Sequence, residues 1–551
     1  MKKIVECVPN FSEGRNMNVI NAIAKEIEET EGVKLLDVDP GAATNRTVIT
    51  FAGTPEGVKK AAFKAIKKAA ELIDMRRHKG EHPRIGAADV VPFVPVSGVT
   101  MEECVQIAHE VAKRVAEELK VPVYLYEEAA TRPERRDLAN IRKGEYEGLA
   151  EKLKDPEWRP DYGEPVFNPQ SGATVIGARE FLIAYNVNLN TRDKKLAHKI
   201  AKVIREKGYK AKDEEGNKIQ VPGKLKKVKA IGWYIEEYGI AQVSINLTNY
   251  KITPLWKVFE ACEEEAQKLG LRVTGSEIVG LIPKKALLDV GRHYLKKQGK
   301  NPGVPEEELI HIAIKSLGLD DISPFDPREK IIEYKLEEPG DRRLEKMVLR
   351  DFVNELSTDS PAPGGGSVSA LSGALSAALS SMVANLTHGK KGYEEHNELM
   401  EEIALKAQEL KDKYLQFIDE DTRAFNLVME AFRLPKKTEE DKKIREKKIE
   451  EATKEATGVP LKVLETTLEL LNLAEVVADK GNVNSVSDAG VAALQAKACA
   501  EGAYLNVIIN LQGLSDQQFV EEAKNRAETL LQEIQQKATT IYEKVKEKIG
   551  E

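Results

Sequence analysis

The sequence is poor in cysteine, and the cysteines it has are far apart. Its 551 residues contain Cys7, Cys104, Cys262 and Cys499, with no C-x-x-C pair. A domain held together by disulfides, or a metal site built from thiolate pairs, needs more cysteines at shorter spacings. We therefore expect a protein of a reducing compartment, the cytoplasm, without a bound metal.

The sequence also lacks an excess of charge of either sign and a clear membrane segment. It has 83 basic and 90 acidic residues, so no basic surface for nucleic acid or anionic lipid is predicted. The start, MKKIVECVPNF, has no long apolar core followed by a cleavage site, so no secretory signal is expected. The longest uncharged run contains residues 368–387 and is interrupted by serines. Its helical spacing predicts a packed helix rather than a membrane span.

The overall composition is that of a globular protein with several domains. Hydrophobic residues make up 41% of the chain and charged residues 31%, and the chain length predicts about three to four domain-sized units. Short β-branched runs alternate with amphipathic stretches, and a second unit of the same style begins near Phe181. This alternation predicts two α+β subdomains.

The pattern changes to helical periodicity alone from residue 344 onwards. We predict an all-α bundle whose helices are interrupted at Pro435, Pro460, Gly481 and Gly513. A proline- and charge-rich stretch before it is the candidate linker. The predicted domains are residues 1–180 and 181–326 for the two α+β subdomains, 327–343 for the linker and 344–551 for the helical domain.

The densest group of titratable residues is an H-x-x-E-H motif formed by His78, Glu81 and His82. In metalloproteases this motif holds zinc from a helix, but Gly80 and Pro83 disfavour a helix here. The alternatives are a loop that presents a functional histidine between a helix and a strand, and a histidine that only satisfies a loop carbonyl. A zinc peptidase stays open as an alternative that metal analysis would decide.

Polar residues at a predicted strand end precede this motif. Asp39 lies in LLDVDPGAATNRTV, where an aspartate can orient a histidine, or simply belong to a turn. Arg46 and Arg84 are candidates for clamping substrate carboxylates, because a guanidinium binds a carboxylate through two hydrogen bonds. Asn45, beside Arg46, is a further candidate substrate ligand.

A glycine triplet opens the small-residue segment PAPGGGSVSALSG in the helical half. Gly364, Gly365 and Gly366 precede Ser367 at a predicted helix start, where exposed N–H groups attract anions. A true P-loop would end in Gly-Lys-Ser/Thr, which is not present. Alternatively, the small residues allow close packing of helices, and both interpretations can hold together.

A carboxylate cluster follows in FIDEDTRAF. Asp419, Glu420 and Asp421 would normally form a solvated helix face, but Phe425 and residues 427–429 place apolar groups beside Asp421. Such surroundings raise the pKa of a carboxyl group into a range useful for proton transfer. Downstream, Asn506 and Asn510 are either satisfied core amides or ligand contacts, and both alternatives stay open.

Two families are recognisable in these motifs. VECVPNFSEGRN, RHKGEHPRIGAADVVPFVPV and KKVKAIGWYIEEYGIAQVSINL resemble the glutamate formiminotransferase family, from Val5 to about Asp326. PAPGGGSVSALSG, FIDEDTRAFNLVMEAF and SDAGVAALQAKACAEGAYLNVIINL resemble the formiminotetrahydrofolate cyclodeaminase family from Leu344 onwards. The resemblance implies two ferredoxin-like α+β subdomains with folate held in a groove between them, followed by an all-α up-and-down helical bundle that is dimeric at its folate site.

The resemblance also implies a bifunctional folate enzyme of histidine degradation. The first half would transfer the formimino group of N-formimino-L-glutamate to tetrahydrofolate, and the second would close 5,10-methenyltetrahydrofolate and release ammonia. The cosubstrate is expected in polyglutamylated form, no metal is implied, and a homo-oligomer built from dimers is expected. Two alternatives are that the helical domain is a methenyltetrahydrofolate cyclohydrolase, and that the chain is a folate-binding scaffold without catalysis.

The resemblance gives roles to particular residues. It places the catalytic acid/base of the transferase at His82 and that of the cyclodeaminase at Asp421, and a single imidazole suits a proton shuttle between two nitrogens. We predict that Asp39 orients His82. The folate-binding predictions are Gly163, Phe167, Asn168 and Gly172 in the first half, and Gly364, Gly365, Gly366, Ser367 and Asn506 in the second.

Overall fold

A computed structural model describes residues 3–42, 44–80, 82–213, 215–337, 344–360 and 362–550. The chain divides into two compact units. The first comprises Met1–Leu287 with Leu317–Leu336, and the second comprises Leu288–Ser316 with Glu337–Glu551. Each unit buries its own apolar side chains.

The first unit begins with a ferredoxin-like sheet extended at one edge. Its strand order is β3, β4, then the short β1 and β2 in line, then β5, with β7 and β6 added beyond β5 as parallel strands. Helices α1, α2 and α3 supply the apolar residues that cover one face. The elements are β1 Ile4–Cys7, β2 Asn10–Phe11, α1 Met17–Glu28, β3 Val33–Gly41, β4 Arg46–Gly53, α2 Pro55–Leu72, β5 Ala88–Ser97, α3 Met101–Leu119, β6 Val123–Glu127, α4 Leu138–Arg142, α5 Glu145–Lys152 and β7 Thr174–Ala178.

A second ferredoxin-like sheet follows in the same unit. Its four strands run antiparallel in the order β11, β12, β8, β13, and a separate hairpin of β9 and β10 is inserted before them. The two helix crossovers, α6 and α7, follow β8 and β12 in sequence, as this fold requires. The elements are β8 Ile183–Leu189, α6 Lys194–Ile204, β9 Tyr209–Lys212, β10 Lys218–Val221, β11 Val228–Ile235, β12 Ile240–Leu247, α7 Leu255–Lys268 and β13 Val273–Val279. Two helices follow in sequence, α8 Lys284–Lys297 and α9 Glu306–Leu317, and most of their residues belong to the second unit.

The first part of the predicted linker is packed structure. It forms the short helices α10, Pro327–Lys330, and α11, Ile332–Lys335. Ile332 is fully buried, and its N–H donates to the Ile282 carbonyl at 3.1 Å. The linker prediction is therefore wrong for residues 327–335, because buried isoleucines anchor them, whereas residues 338–343 lie outside the described residues.

The second unit is built around long helices, so the predicted fold class is confirmed. Its central helix, α13, has the length and composition of a membrane span, but most of its apolar window is buried where it packs between α14 and α16. Gly373 allows that packing, because a Cβ there would lie 2.2 Å from the Tyr414 ring. The elements are α12 Leu349–Leu356, α13 Gly365–Thr387, α14 Asn397–Phe432, α15 Glu439–Lys480, α16 Val486–Leu511 and α17 Gln517–Ile549.

The helix that contains Pro460 is not interrupted there, which corrects the prediction from sequence. Helix α15 runs continuously through Pro460, although proline has no N–H to donate to the carbonyl four residues earlier. That carbonyl belongs to Ala456, and the side-chain amide of Asn510 on α16 donates to it at 3.1 Å. A hydrogen bond from a neighbouring helix thus compensates for the proline, and Asn510 is a satisfied core amide.

Candidate active sites

The H-x-x-E-H motif forms an irregular loop rather than a helix. A single 3₁₀ turn ends at Arg77, and Gly80 then lies so close to the chain before β4 that a Cβ would meet the Thr44 carbonyl at 2.1 Å. His78 is buried, donates from Nε2 to the Asn45 carbonyl at 2.8 Å and accepts from Arg84 Nε at 3.1 Å. Both of its nitrogens therefore support the loop. Glu81 lies outside the described residues, and the described part of the chain contains no cluster of three metal-ligating side chains.

His82, in the same loop, is held as a neutral base. Its Nδ1 lies 2.7 Å from the Pro83 carbonyl oxygen, and its Nε2 lies 2.7 Å from Arg46 Nη1. Because a carbonyl only accepts and a guanidinium only donates, Nδ1 carries the proton and Nε2 presents its lone pair. Burial, and then the charges of Arg46 and Arg142, lower the pKa of His82 below its usual value. The imidazole is therefore unprotonated at neutral pH.

The structure corrects the prediction that Asp39 orients His82. Both ring nitrogens of His82 already have partners, and the Pro83 carbonyl fixes the tautomer. Asp39 lies exposed at the end of β3, and its charge acts on Arg46 instead. Burial lowers the pKa of Arg46, and the charge of Asp39 opposes this shift. The strand end thus influences His82 only through the arginine.

Two of the candidate substrate ligands are structural residues. Asn45 is buried, accepts from the Gly14 N–H and donates to the Lys79 carbonyl, each at 3.0 Å. Arg84 is also buried, and it forms ion pairs with Glu145 and Glu147 at 2.9 and 2.7 Å. Neither side chain is available to clamp a carboxylate, because each already satisfies the loop around it.

A second arginine near His82 was not predicted from the sequence. Arg142, at the end of α4, forms an ion pair with the buried carboxylate of Asp89 on β5, and both charges act on the pKa of His82. In sequence, Arg142 belongs to the hydrophilic segment RKGEYEG, which has no feature that separates it from a solvated helix end. Only the approach of α4 to β5 brings it to the histidine.

The predicted folate stretch forms one wall of a surface cavity of about 630 Å³. Gly163, Phe167 and Asn168 line it together with Lys113 and Lys120 at the end of α3. Gly163 has a φ of +89°, a conformation that glycine adopts without strain. The cavity residues do not include the groups that contact His82, namely Arg46 and Pro83.

Two members of the folate stretch have structural roles. Asn168 Oδ1 accepts from the N–H groups of Gln170 and Ser171 at 3.2 and 3.0 Å, which closes the turn. Gly172 packs against the main chain before β5, because a Cβ there would lie 2.1 Å from the Ile85 carbonyl. The turn therefore ties the cavity wall to the segment that follows His82.

The second site lies where the start of α13 meets Asp421 on α14. Ser367 Oγ donates to Asp421 Oδ2 at 3.2 Å, and the Ser367 N–H also donates to this carboxylate. One N–H group of the helix start that was predicted to attract an anion, that of Ser367, therefore binds a carboxylate of the chain itself. Burial raises the pKa of Asp421, and the two hydrogen bonds from Ser367 lower it in opposition, with the net shift upward.

The apolar surroundings of Asp421 differ from those predicted. Phe425 and Leu427 are 38% and 42% exposed, and neither lines the cavity that contains Asp421. The side chains around Asp421 come mainly from other helices. Its neighbour Asp419 is buried, and its carboxylate accepts hydrogen bonds from the N–H groups of Leu344 and Glu345. The apolar residues that line the cavity with Asp421 are Phe417 on α14, Val459, Pro460 and Val463 on α15, and Ala503 on α16.

Asn506 lies beside the glycine triplet. Its Nδ2 donates to the Gly502 carbonyl at 2.8 Å, and a Cβ at Gly365 would lie 3.5 Å from it. Unlike Asn510, it therefore borders the Asp421 site. The structure thus brings together Gly365, Gly366, Ser367, Asn506 and Asp421, whereas Gly364 has open space around it.

Replacing Gly366 by alanine is expected to disable the Asp421 site. An added Cβ would lie 2.2 Å from Asp421 Oδ1, so the carboxylate must move and lose its contact with Ser367. We expect the reaction of the helical domain to fall at least about tenfold, the effect of a small misplacement of a catalytic group. The matched control is Gly458→Ala, where a Cβ meets nothing within 4 Å. Equal activity of the two variants would contradict the role of Asp421.

Models of three families match most of the chain. Residues 4–179 match the formiminotransferase domain, N-terminal subdomain, and residues 184–337 match the formiminotransferase domain. Residues 348–529 match formiminotransferase-cyclodeaminase. The boundaries between these matches fall between β7 and β8 and before α12.

Several curated proteins are similar to the chain. Formimidoyltransferase-cyclodeaminase of Mus musculus is 48% identical over 98% of both chains. Glutamate formimidoyltransferase of Streptococcus pyogenes serotype M1 is 47% identical and covers 54% of this chain and 94% of its own. Methenyltetrahydrofolate cyclohydrolase of Methylorubrum extorquens is 45% identical and covers 37% of this chain and 97% of its own.

Proposed function

The chain belongs to the formiminotransferase-cyclodeaminase family, and from this we propose that His82 and Asp421 move the protons in its two reactions. The protein is a bifunctional folate enzyme. It transfers the formimino group of N-formimino-L-glutamate to tetrahydrofolate, and it then forms 5,10-methenyltetrahydrofolate with release of ammonia. One observation carries the proposal. In each unit, the titratable group of the candidate site, His82 or Asp421, is partly buried and held by hydrogen bonds.

In the transferase reaction, His82 Nε2 acts first as base and then as acid. N5 of tetrahydrofolate attacks the formimino carbon, and the lone pair on Nε2 takes the proton that N5 loses. The imidazolium then protonates the departing glutamate nitrogen, which returns the histidine to its neutral form. The Pro83 carbonyl supports this cycle because it holds the proton on Nδ1 throughout.

In the cyclodeaminase reaction, Asp421 delivers a proton to the leaving nitrogen. N10 of the folate attacks the carbon of the 5-formimino group, and the C–N bond to the original formimino nitrogen breaks as ammonia leaves. The proton that N10 loses returns to the Asp421 carboxylate. A carboxyl group with a raised pKa retains its proton closer to neutral pH and so can donate it. The hydrogen bonds from Ser367 stabilise the carboxylate that remains.

The folate contacts are assigned on the same basis. We place the folate of the transferase in the cavity lined by Gly163, Phe167 and Asn168, where the Phe167 side chain offers an aromatic surface. The folate of the cyclodeaminase contacts Gly365 and Asn506 beside Asp421. The folate is polyglutamylated, both reactions proceed without a metal, and the protein is cytoplasmic.

We further propose that the helical domain is dimeric at the Asp421 site. An apolar stripe on adjacent faces of α13 and α16 borders this site, because Val368 follows Ser367 and Leu505 precedes Asn506. Leu505 and Ile509 are 67% and 64% exposed, which is unusual for neighbouring large side chains. The stripe comprises Val368, Leu375, Met382 and Leu386 on α13, and Val491, Leu494, Leu505 and Ile509 on α16.

Replacing Leu505 by aspartate is expected to dissociate this dimer. A charge buried in an apolar interface costs more free energy than the contact gains, so the variant should sediment as a smaller species. Ammonia release should fall with it, while formimino transfer continues. The control is Ile444→Asp, because Ile444 is 53% exposed in the charged first turns of α15. An unchanged sedimentation coefficient for Leu505→Asp would contradict the interface.

One assay tests the function as a whole. Purified protein is mixed with N-formimino-L-glutamate and tetrahydrofolate, and methenyl-folate absorbance and ammonia are followed in the same tube. We expect both to appear in equal amounts. The similarity to a methenyltetrahydrofolate cyclohydrolase favours one second candidate, in which supplied methenyl-folate is hydrolysed and no ammonia is released from formimino-folate. If neither product appears, although formimino-folate supplied directly is consumed, the transferase assignment is contradicted.

A further inference from the structure

Among the described residues, the charged groups that act on His82 are Arg46, Arg142 and Asp89, and Asp39 acts in turn on Arg46. Arg46, at the start of β4, contacts His82 Nε2. Asp89, on β5, is fully buried, and it is already shared between Arg142 and the Ile85 N–H, which donates to it at 2.8 Å. Asp89 is therefore paired with Arg142 rather than with Arg46, and Asp39 is exposed.

Neither arginine has its donors satisfied. Among the described residues no carboxylate forms an ion pair with Arg46, whose side chain donates to the neutral His82 Nε2. The Nε of Arg142 is buried without a hydrogen-bond partner. Arg84, in the same loop region, shows the opposite pattern, because two glutamates neutralise it. Guanidinium N–H groups without partners fit an acceptor that is not part of the chain, and the positive charge of the two arginines favours an anion.

We propose that Arg46 and Arg142 together bind a carboxylate of the formimino donor, and that this carboxylate draws Arg46 away from His82 Nε2. The inference rests on the proposed role of His82 as the base of the transferase. Arg46 donates to the same lone pair that must accept the proton from N5, so this hydrogen bond has to break before His82 can act as a base. A donor carboxylate is a better acceptor for a guanidinium than a neutral imidazole. Donor binding thus frees the base only when a substrate is in place.

The donor is a dianion, and the two arginines bind one of its charges. Formiminoglutamate carries two carboxylates, of which one faces Arg46 and Arg142 in this proposal. Arg142 binds this carboxylate directly and so contributes to the choice of donor. Arg46 binds the same carboxylate, and its movement away from Nε2 leaves His82 free to act as a base. A donor that lacks the recognised carboxylate would leave Arg46 on Nε2 and would react slowly even when present in excess.

The test is a set of matched donors applied to Arg142→Gln. We would measure kcat and KM with N-formimino-L-glutamate and with the two analogues in which either the α- or the γ-carboxylate is replaced by an amide. With the full donor we expect kcat/KM to fall by about 10- to 100-fold, the usual effect of losing a hydrogen-bonded charge pair. With the analogue that lacks the recognised carboxylate, the variant and the wild type should be nearly equal. The KM for tetrahydrofolate should not change.

The control is Arg136→Gln, an exposed arginine whose partner is Glu128. A loss by the same factor with all three donors would overturn the proposal, because a merely structural arginine gives no donor dependence. If Arg142→Gln does not fold, Arg46→Gln decides by the same series, since Arg46 has no ion pair to lose within the described chain. Failure of the proposed function gives a different result: the wild type itself would not transfer from formiminoglutamate, or His82→Ala would remain active.

Discussion

Replacing His82 by alanine is expected to lower kcat for formimino transfer by about 10²- to 10⁴-fold, the usual contribution of a positioned acid/base group. The second reaction should continue at the wild-type rate when 5-formiminotetrahydrofolate is supplied, because Asp421 lies in the other compact unit. The measurement is a pair of single-reaction assays on the same preparation. The exposed His311 on α9 provides the control, and His311→Ala should leave both rates unchanged.

The pH dependence of the wild type gives a second test of His82. Burial and the charges of Arg46 and Arg142 lower its pKa below the usual 6.5. Since Nε2 must be unprotonated to accept a proton, kcat/KM for transfer should rise with pH along a limb whose midpoint lies below 6.5. The His82→Ala variant should lose this limb. Loss of both activities in His82→Ala would contradict two independent sites. If the variant keeps the acidic limb of the pH profile, that titration belongs to another group.

Replacing Asp421 by asparagine is expected to have the other large effect. Asparagine has nearly the same shape, so Ser367 and Gly366 keep their contacts, but the side chain cannot donate a proton and recover it. We expect ammonia release from formimino-folate to fall by about 10²- to 10⁴-fold while formimino transfer persists. A stopped assay for ammonia with formimino-folate as substrate measures the first, and glutamate release measures the second.

The neighbouring carboxylate provides the control for Asp421. Glu420→Gln removes one charge from the same cluster but does not touch the cavity, so ammonia release should be retained. Ser367→Ala should raise the pKa of Asp421 further, because both hydrogen bonds from Ser367 favour the carboxylate and the variant keeps only the one from its N–H. If Asp421→Asn releases ammonia at the wild-type rate, the acid must be another group.

Much of the fold was readable from local patterns. The strand and helix periodicities predicted two α+β subdomains before a helical bundle, and the structure contains both ferredoxin-like sheets and the bundle. The resemblance of the quoted motifs predicted the family, which the matches confirm. The predicted break at Pro460 was wrong because Asn510, about fifty residues later, satisfies the carbonyl that the proline leaves unpaired.

The sites were only partly readable. His82 and Asp421 were identified through the resemblance of their motifs to two families, and their roles stay predictions until the variants are measured. Their surroundings were misjudged from sequence, because Asp39 does not contact His82 and the flanking Phe425 is exposed. Arg84, predicted to clamp a substrate carboxylate, is neutralised by glutamates.

By itself, the sequence determined the elements, the order of the domains and the chemical groups available for catalysis, because these depend on residues close together in the chain. The tertiary structure decided which of those groups is charged, buried or already bonded. Arg142 reaches His82 only because α4 approaches β5, and Asp421 is desolvated by α15 and α16 rather than by its own helix. Solvation and charge pairing depend on distances in space, which local sequence patterns do not encode.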